Sequence, residues 1–284
     1  MIQANDARAF EGRTYRLVAL DIDGTLLRSD KRLSLRVVKR IQQASKLGVK
    51  VILASARPPR TVKEIYSILK LDTMQINYNG AVIHDAVQDK AVYHLPVPPQ
   101  TAATVCKLAR YLDPKIAISL EILDRWCTDF VDPSLDVVSQ RNRKPHFLGP
   151  LSTFTRFPVT KIMLIAKPSR LQKVREIVWQ KMSRQIMMHI SDHHIVQIVH
   201  PKVNKAISLS QIARDYGIPP EECIAIGDAP NDAEMMEWAG LGIAVANGWP
   251  RCKQAAKVIV PSNDEDGVAA AIEKFILAPR IVGV

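Results

Sequence analysis

The chain has 284 residues, of which 47% are hydrophobic and 24% charged, and this composition excludes disordered and fibrous proteins. No apolar run is long enough to span a bilayer, and residues 1–16 lack the apolar core of a signal peptide, so we expect a cytoplasmic protein with no membrane partner. The formal net charge is +11, but the basic residues are spread along the chain, which argues against a nucleic-acid partner. The oligomeric state is left open.

The N-terminal third alternates short apolar runs with helical patterns. Runs at residues 15–21, 50–54 and 74–78 have the length and composition of buried strands. Between them, residues 35–47 and 59–71 carry apolar side chains at helical spacing. This β-α-β-α-β order predicts a parallel sheet that is covered by helices on both faces.

The same alternation returns near the C-terminus. Strands are predicted at residues 223–226, 241–245 and 258–260, and helices at residues 204–216, 232–239 and 268–277. The middle of the chain lacks this rhythm and has a predicted helix at residues 171–182 and predicted strands at 160–166 and 195–199. We therefore predict an α/β protein with a Rossmann-like parallel-sheet core, residues 1–84 and 196–284, and an inserted α+β domain, residues 85–195.

The clearest chemical signal is the segment from Asp21 to Thr25, which directly follows the first predicted strand. Ligands of parallel α/β sheets bind beyond the carboxyl ends of the strands, so Asp21 and Asp23 are expected in that crevice. Two carboxylates this close repel each other unless a cation or a shared proton intervenes, and a hard divalent ion such as Mg²⁺ is the simplest partner. The alternative is that these aspartates only cap the turn.

A second acidic segment follows the predicted strand at residues 223–226. It contains Asp228, Asn231 and Asp232. A metal that must hold both phosphate and carboxylates needs such negative surroundings. The alternative is an ordinary strand-to-helix turn in which Asp228 or Asn231 caps the helix.

Two shorter signals indicate an anion site. Ser55 follows the second predicted strand, where a hydroxyl beside free backbone N–H groups at a helix start can bind an anion. Lys205 lies in the first turn of a predicted helix, where the helix dipole disfavours a positive charge, so a phosphate or Asp21 is its expected partner. Lys202 is the competing candidate. No group of cysteines or histidines has the spacing of a zinc site.

These four motifs, in this order, resemble those of the haloacid dehalogenase superfamily, and the large insert resembles the Cof-type phosphatase subfamily. In that subfamily a cap domain lies between the second and third motifs. Residues 79–80, 246–248 and 263–267 also resemble recurrent loops of the subfamily. The resemblance covers nearly the whole chain and implies that residues 85–195 form a cap that closes as a lid. This insert has 16 Lys and Arg against 10 Asp and Glu, a surplus that would attract anionic substrates.

The resemblance implies a Mg²⁺-dependent phosphatase that hydrolyses small phosphorylated metabolites through an aspartyl-phosphate on Asp21. Asp23 would act as the acid and base, and its presence argues against dehalogenase chemistry, because a halide leaves without a proton. The implied metal residues are Asp21, Asp23 (through its main-chain oxygen), Asp228 and Asp232, and the implied phosphate-binding residues are Ser55, Lys205 and Asn231.

Two positions depart from the subfamily pattern. Ala56 and Ala206 stand where glycine is usual, and neither change removes a reacting group. The alternative functions are a phosphotransferase or mutase with the same core, a nucleic-acid-binding protein, and a catalytically silent regulatory protein. For the insert, Arg125, Arg141 and Arg143 are the predicted substrate contacts.

Overall fold

The structure is a computed structural model that describes residue 10, residues 12–132 and residues 144–281. The chain divides into two compact units. Unit 1 consists of Met1–Val92 and Asn204–Val284, and unit 2 consists of Tyr93–Val203. No helix among the described residues combines the length and the apolar character needed to cross a membrane.

The regular elements follow in chain order. The first part contains β1 (Leu17–Leu20), α1 (Leu35–Lys46), β2 (Lys50–Leu53), α2 (Pro59–Leu69), β3 (Met74–Asn77), β4 (Val82–Asp85) and β5 (Lys90–His94). The middle part contains α3 (Pro99–Leu112), β6 (Ala117–Ile122), β7 (Arg125–Thr128), β8 (Phe147–Leu148), α4 (Leu151–Phe154), β9 (Lys161–Ile165), α5 (Pro168–Met182), β10 (Met187–Asp192) and β11 (Ile195–Val199). The last part contains α6 (Lys205–Asp215), β12 (Cys223–Gly227), α7 (Ala233–Trp238), β13 (Leu241–Val245), α8 (Pro250–Ala255), β14 (Val258–Val260), α9 (Gly267–Ile272) and α10 (Ala278–Ile281).

Unit 1 is built on a parallel sheet with the strand order β14-β13-β12-β1-β2. Leu17 of β1 pairs with Cys223 of β12 on one side and with Lys50 of β2 on the other. All four residues of β1 are buried, as expected for a strand covered on both faces, and its core cluster includes Ile41 of α1 and Ile272 of α9. The predicted α/β class is confirmed, with antiparallel sheets added to the parallel core.

The prediction that β3 extends the parallel sheet holds only in part, through one parallel bridge. β3 pairs antiparallel with β4 in a separate three-stranded sheet, β3-β4-β5, and meets the parallel sheet at a bridge between Ala54 and Ile76. The antiparallel pairing with β4 follows from the turn after β3. Tyr78, Asn79 and Gly80 have φ angles of 52°, 59° and 103°, and this left-handed run reverses the chain immediately.

Both ends of α1 carry residues that suit helix termini. The Ser34 side chain accepts a hydrogen bond of 3.1 Å from the Val37 N–H and so begins α1. Gly48, with φ +83°, follows its last turn. The predicted helix at residues 268–277 is less regular, since the π-helical segment Glu273–Leu277 separates α9 from α10.

Unit 2 contains a six-stranded sheet with the order β10-β11-β9-β6-β7-β8. The described pairings are antiparallel except for β7 with β8. Buried residues of α3 and α5 form one core with the sheet, for example Val105, Val178 and Ile118. The predicted domain boundaries fall after residues 84 and 195 and stay predictions; the second lies within β11.

Candidate active site

The two acidic motifs lie side by side because β1 and β12 are neighbours in the parallel sheet. Asp21 follows β1, and its N–H donates a 3.0 Å hydrogen bond to the carbonyl of Ile226 in β12. Asp228 directly follows β12. Segments more than 200 residues apart in sequence therefore place their carboxylates at the same edge of the sheet, as the strand pattern predicts.

Lys205 links the acidic residues. Its Nζ lies 2.7 Å from Asp21 Oδ1 and 2.6 Å from Asp232 Oδ1, and the side chain is 1% exposed. The turn after β3 fixes the start of α6: Ser208 Oγ donates a 2.9 Å hydrogen bond to the Gly80 carbonyl, and a Cβ on Gly80 would lie 2.4 Å from the Asn204 carbonyl oxygen. Lys202, the competing candidate, is exposed.

Asp232 orients the second acidic loop. Its Oδ2 accepts hydrogen bonds from the backbone N–H groups of Asp228 (3.1 Å) and Ala229 (3.0 Å). Asp228 in turn accepts a 2.8 Å hydrogen bond from Thr25 Oγ1. Gly24, with φ +89°, leaves room for this carboxylate, because a Cβ there would lie 2.5 Å from Asp228 Oδ2.

The Asp23 side chain is held apart from these carboxylates by two basic residues. Arg57 donates from Nε to Oδ2 and from Nη2 to Oδ1, both at 2.7 Å, and Lys31 Nζ lies 3.1 Å from Oδ1. Burial raises the pKa of Asp23, but the hydrogen bonds and charges of Arg57 and Lys31 outweigh burial and lower this pKa below its ordinary value. Asp23 is therefore an ionised carboxylate in this arrangement.

The other two predicted phosphate-binding residues make local contacts. Ser55 is buried, and its Oγ accepts a 3.1 Å hydrogen bond from the Arg57 N–H. Asn231 is exposed, and its Nδ2 donates a 3.0 Å hydrogen bond to Asn79 Oδ1. The Ser55 hydroxyl is thus held within the loop that follows β2, and the Asn231 side chain is held against Asn79, which follows β3.

Comparison with known proteins gives the family. The sequence profile of haloacid dehalogenase-like hydrolases matches residues 18–272, which include every predicted site residue. The chain belongs to the haloacid dehalogenase-like hydrolase family. The resemblance predicted from the four motifs is confirmed.

Relatives of this hydrolase match along nearly their whole length. The 5-amino-6-(5-phospho-D-ribitylamino)uracil phosphatase YitU of Bacillus subtilis is 30% identical over 267 residues, which are 91% of this chain and 97% of that protein. An HMP-PP phosphatase of Yersinia pseudotuberculosis is 26% identical, and the alignment covers 94% of this chain and 97% of that protein. The crystal structure of a haloacid dehalogenase-like hydrolase from Bacteroides thetaiotaomicron has a TM-score of 0.83 at 28% identity, covering 93% of this chain and 100% of that one.

The electrostatics of the hydrolase site favour a bound cation. Burial, and then the charge of Asp232, raise the pKa of Asp21 well above its ordinary value, although Lys205 opposes them. Burial also raises the pKa of Asp228, against its hydrogen bond from Thr25. Carboxylate oxygens of Asp21, Asp228 and Asp232 lie within 4.8 Å of one another. The three buried carboxylates offer only oxygen ligands, and together with the one lysine they keep a net negative charge. This combination fits a divalent metal ion.

Sequence reasoning missed two residues of the hydrolase that act on the acidic motifs. Arg57 is not among the predicted site residues, and Thr25 only marks the end of the first acidic segment, yet they donate hydrogen bonds to Asp23 and Asp228 respectively. Both residues lie in loops that follow predicted strands, and this position is the signal that could have identified them. In unit 2, Arg125 is exposed, and the other two predicted contacts, Arg141 and Arg143, lie outside the described residues.

Proposed function

We propose that this hydrolase is a Mg²⁺-dependent phosphatase of small phosphorylated metabolites, such as sugar phosphates or phosphorylated cofactors. The observation that carries the proposal is Asp21, a buried carboxylate at a strand end, in contact with Lys205 and beside Asp228. The two named relatives are phosphatases of different phosphorylated compounds, which supports the reaction class and leaves the substrate open.

In the first step, an Asp21 carboxylate oxygen attacks the phosphorus atom in line, forming an acyl-phosphate bond as the bond to the leaving oxygen breaks. Asp23 donates a proton to that leaving oxygen. In the second step, water attacks the phosphorus of the aspartyl-phosphate, and Asp23 accepts a proton from the water. The Asp21–phosphorus bond breaks, which releases inorganic phosphate and restores the carboxylate.

The contacts of Asp23 set a condition on this scheme. Its carboxylate carries a lowered pKa while it is bound by Arg57 and Lys31. This state suits a base but opposes proton donation, because an acid must hold its proton near neutral pH. We therefore propose that Asp23 exchanges its contacts with Arg57 and Lys31 for the leaving oxygen before the first step.

The remaining residues hold charge at the reaction centre. When bound, Mg²⁺ would neutralise the anionic nucleophile and the phosphoryl group. Asp21, Asp228 and the main-chain oxygen of Asp23 would hold it, while Asp232 keeps the Asp228 loop in place through two backbone N–H groups. The phosphoryl oxygens would be bound by Lys205, Ser55 and Asn231.

The test is phosphate release from a panel of phosphorylated metabolites, with Mg²⁺ and with EDTA. We expect Mg²⁺-dependent release by the wild type and a loss of at least about 10³-fold in Asp21→Asn, because the amide is not a nucleophile. Asp215→Asn is the matched control, since it changes an exposed aspartate of α6. Release that survives in Asp21→Asn would refute the nucleophile, and phosphoryl transfer to an added sugar in preference to water would identify a phosphotransferase. A folded protein with no turnover on any substrate would favour a silent regulatory protein.

A further inference from the structure

Unit 2 contains an open cavity of about 840 Å³, accessible from solvent, whose lining includes none of the residues of the proposed phosphatase reaction. We call it the α3–α4 cavity; its walls include Ala103, Lys107 and Arg110 of α3, Asp129, Leu151 of α4 and Arg156. The volume lies within the range of about 300–1,000 Å³ that is typical of small-molecule sites. All of these residues belong to unit 2, so the cavity is a feature of that unit alone.

Helix α3 serves both the core and the cavity. Ala102, Val105 and Ala109 are buried against the sheet and α5. Lys107 follows Ala103 by four residues and Arg110 follows Lys107 by three, so these side chains lie on a second face of the same helix. A cavity wall formed by a packed helix is pre-formed, as binding sites generally are.

Arg110 is fixed in place but not fully hydrogen-bonded. Its Nη2 donates a 2.7 Å hydrogen bond to Asp129 Oδ2, and its Cζ lies 5.3 Å from the centre of the Phe130 ring. Among the described residues, no hydrogen-bond partner is found for Arg110 Nε or for Asp129 Oδ1, although both atoms are buried. The described residues therefore leave hydrogen-bonding capacity unused on both sides of the Arg110–Asp129 pair.

The lining combines positive charge with apolar surface. Among the described residues that line the cavity, Lys107, Arg110 and Arg156 are basic and Asp129 is acidic, while the remaining lining mixes apolar side chains such as Leu151 with uncharged polar ones. Arginine pairs well with planar or tetrahedral anions. Such a lining suits a molecule with an apolar part and one negative group.

Cys106 also lines the α3–α4 cavity, and its thiol suits a binding role rather than a reactive one. Cys106 is 5% exposed. Burial, together with the charge of Asp129, raises the pKa of this thiol to about 12. It therefore stays protonated at neutral pH and acts as apolar lining, because the thiolate is the reactive form of cysteine.

We propose that the α3–α4 cavity binds a small amphipathic anion, with its apolar body against the α3 and α4 walls and its carboxylate, sulfate or phosphate group at the three basic side chains. The site is separate in its residues from the proposed phosphatase centre. Its occupancy can therefore be measured without turnover.

The probe is anilinonaphthalene sulfonate, which has an apolar body and one anionic group and contains no phosphate ester. Titration into the wild-type protein should give saturable fluorescence with one site per chain. The uncharged analogue phenylnaphthylamine should bind at least about tenfold more weakly, because it lacks the group that accepts charge-assisted hydrogen bonds. Equal affinity for both compounds would overturn the assignment of an anion site.

Charge-removing variants test the head-group contacts. Lys107→Met with Arg156→Met should weaken binding of the sulfonate about tenfold, and this pair leaves the Arg110–Asp129 contact intact. The matched control is Lys173→Met with Lys181→Met, which removes the same charge from exposed positions of α5. Equal weakening in both double variants would mean that general surface charge attracts the probe, and the proposal would fail.

A cavity-filling variant tests the apolar body. Ala103→Trp should abolish saturable binding, whereas Gln180→Trp adds the same side chain to an exposed position of α5 and should not. Undiminished binding by Ala103→Trp, with a circular dichroism spectrum like that of the wild type, would overturn the proposal. Competition by octanoate and by octyl sulfate then separates a carboxylate from a sulfate-like or phosphate-like head group, and displacement by either supports the site.

Discussion

Two ion clusters in unit 1 have the same arrangement with opposite signs. In one, a lysine lies between two aspartates; in the other, a glutamate lies between two arginines of α1, with nitrogen–oxygen distances of 2.6 Å to both. We call them the active-site cluster (Lys205, Asp21 and Asp232) and the surface cluster (Glu273, Arg36 and Arg40). The bridging lysine is 1% exposed and the bridging glutamate side chain 30% exposed.

The difference in burial separates a functional arrangement from a stabilising one. In the surface cluster, water can replace any partner that is removed, so each contact contributes little. In the active-site cluster, two aspartates already outnumber the single lysine, and the nearby Asp228 adds a third carboxylate. Removing a partner there leaves unbalanced charge in a low dielectric. A site that retains this imbalance is prepared for a cation rather than optimised for stability.

The largest effect is expected for Lys205→Met. Removing this ammonium leaves buried carboxylates without a counter-charge, so the free energy of unfolding in EDTA should fall by about 3–5 kcal/mol. Urea unfolding followed by circular dichroism measures the change. Mg²⁺ should restore more stability to this variant than to the wild type, because the ion replaces the missing positive charge. Lys202→Met, at an exposed lysine, is the control and should unfold like the wild type.

A pair of glycine variants compares the active-site cluster with an exposed turn elsewhere in unit 1. Gly24 and Gly48 have φ angles of +89° and +83°, but a Cβ would lie 2.5 Å from Asp228 Oδ2 at Gly24 and meets nothing within 4 Å at Gly48. Gly48→Ala should therefore lower the free energy of unfolding by about 1 kcal/mol, from backbone strain alone. Gly24→Ala adds a clash and should lower it by about 2–4 kcal/mol.

The same pair separates structure from function. Gly24→Ala should also weaken the response of phosphatase activity to Mg²⁺, because the added methyl group displaces the Asp228 carboxylate. Gly48→Ala should leave that response unchanged. Equal losses of stability in the two variants would show that the carboxylate loop yields easily and that the site is less rigid than its packing indicates.

Glu273→Gln tests the surface cluster and its pH dependence. Hydrogen bonds from Arg36 and Arg40 lower the pKa of Glu273 to about 2 from its ordinary value of 4.5. A depressed carboxylate pKa stabilises the fold above pH 4.5, and this contribution disappears as the pH falls toward about 2. The variant should lose about 1 kcal/mol or less at neutral pH, since the cluster is solvent-screened. Urea midpoints of both proteins should converge as the pH approaches about 2, and a constant difference would contradict the assignment.

The smallest effect is expected for Lys31→Met. Lys31 contacts Asp23 at 3.1 Å, but the two side chains are 64% and 41% exposed, so the free energy of unfolding should change by less than about 0.5 kcal/mol. Arg57→Met removes two hydrogen bonds from the same carboxylate and should cost more, about 1–2 kcal/mol. Thermal unfolding of the two variants side by side gives the order, and the reverse order would show that Lys31 is the main partner.

The sequence was sufficient to predict the strands that carry the site and the acids at their ends. Continuous apolar runs such as β1 and β12 predict buried parallel strands, and a residue placed directly after such a run has little freedom, so the positions of Asp21 and Asp228 followed. The sequence did not predict Arg57 as the partner of Asp23. Arg57 reaches it from another loop, and the path of a loop depends on backbone angles that periodicity does not reveal.

The turn after β3 shows the same limit. The sequence Asn79-Gly80 predicts a tight turn, but Tyr78 also has a positive φ, which its residue type does not suggest. That additional left-handed residue sends β4 back beside β3 and brings Gly80 against the start of α6. The burial of Lys205 thus depends on a contact between segments about 125 residues apart, which no local pattern encodes.

The pairing of β1 has a consequence for how the protein is made. β1 lies between β2, which follows it within 30 residues, and β12, which begins more than 200 residues later at Cys223. During translation, one edge of β1 stays unpaired until the ribosome has synthesised the insert and β12. Because non-local pairing is slow and an unpaired strand edge is prone to aggregate, expression at a lower temperature should increase the yield of correctly folded protein.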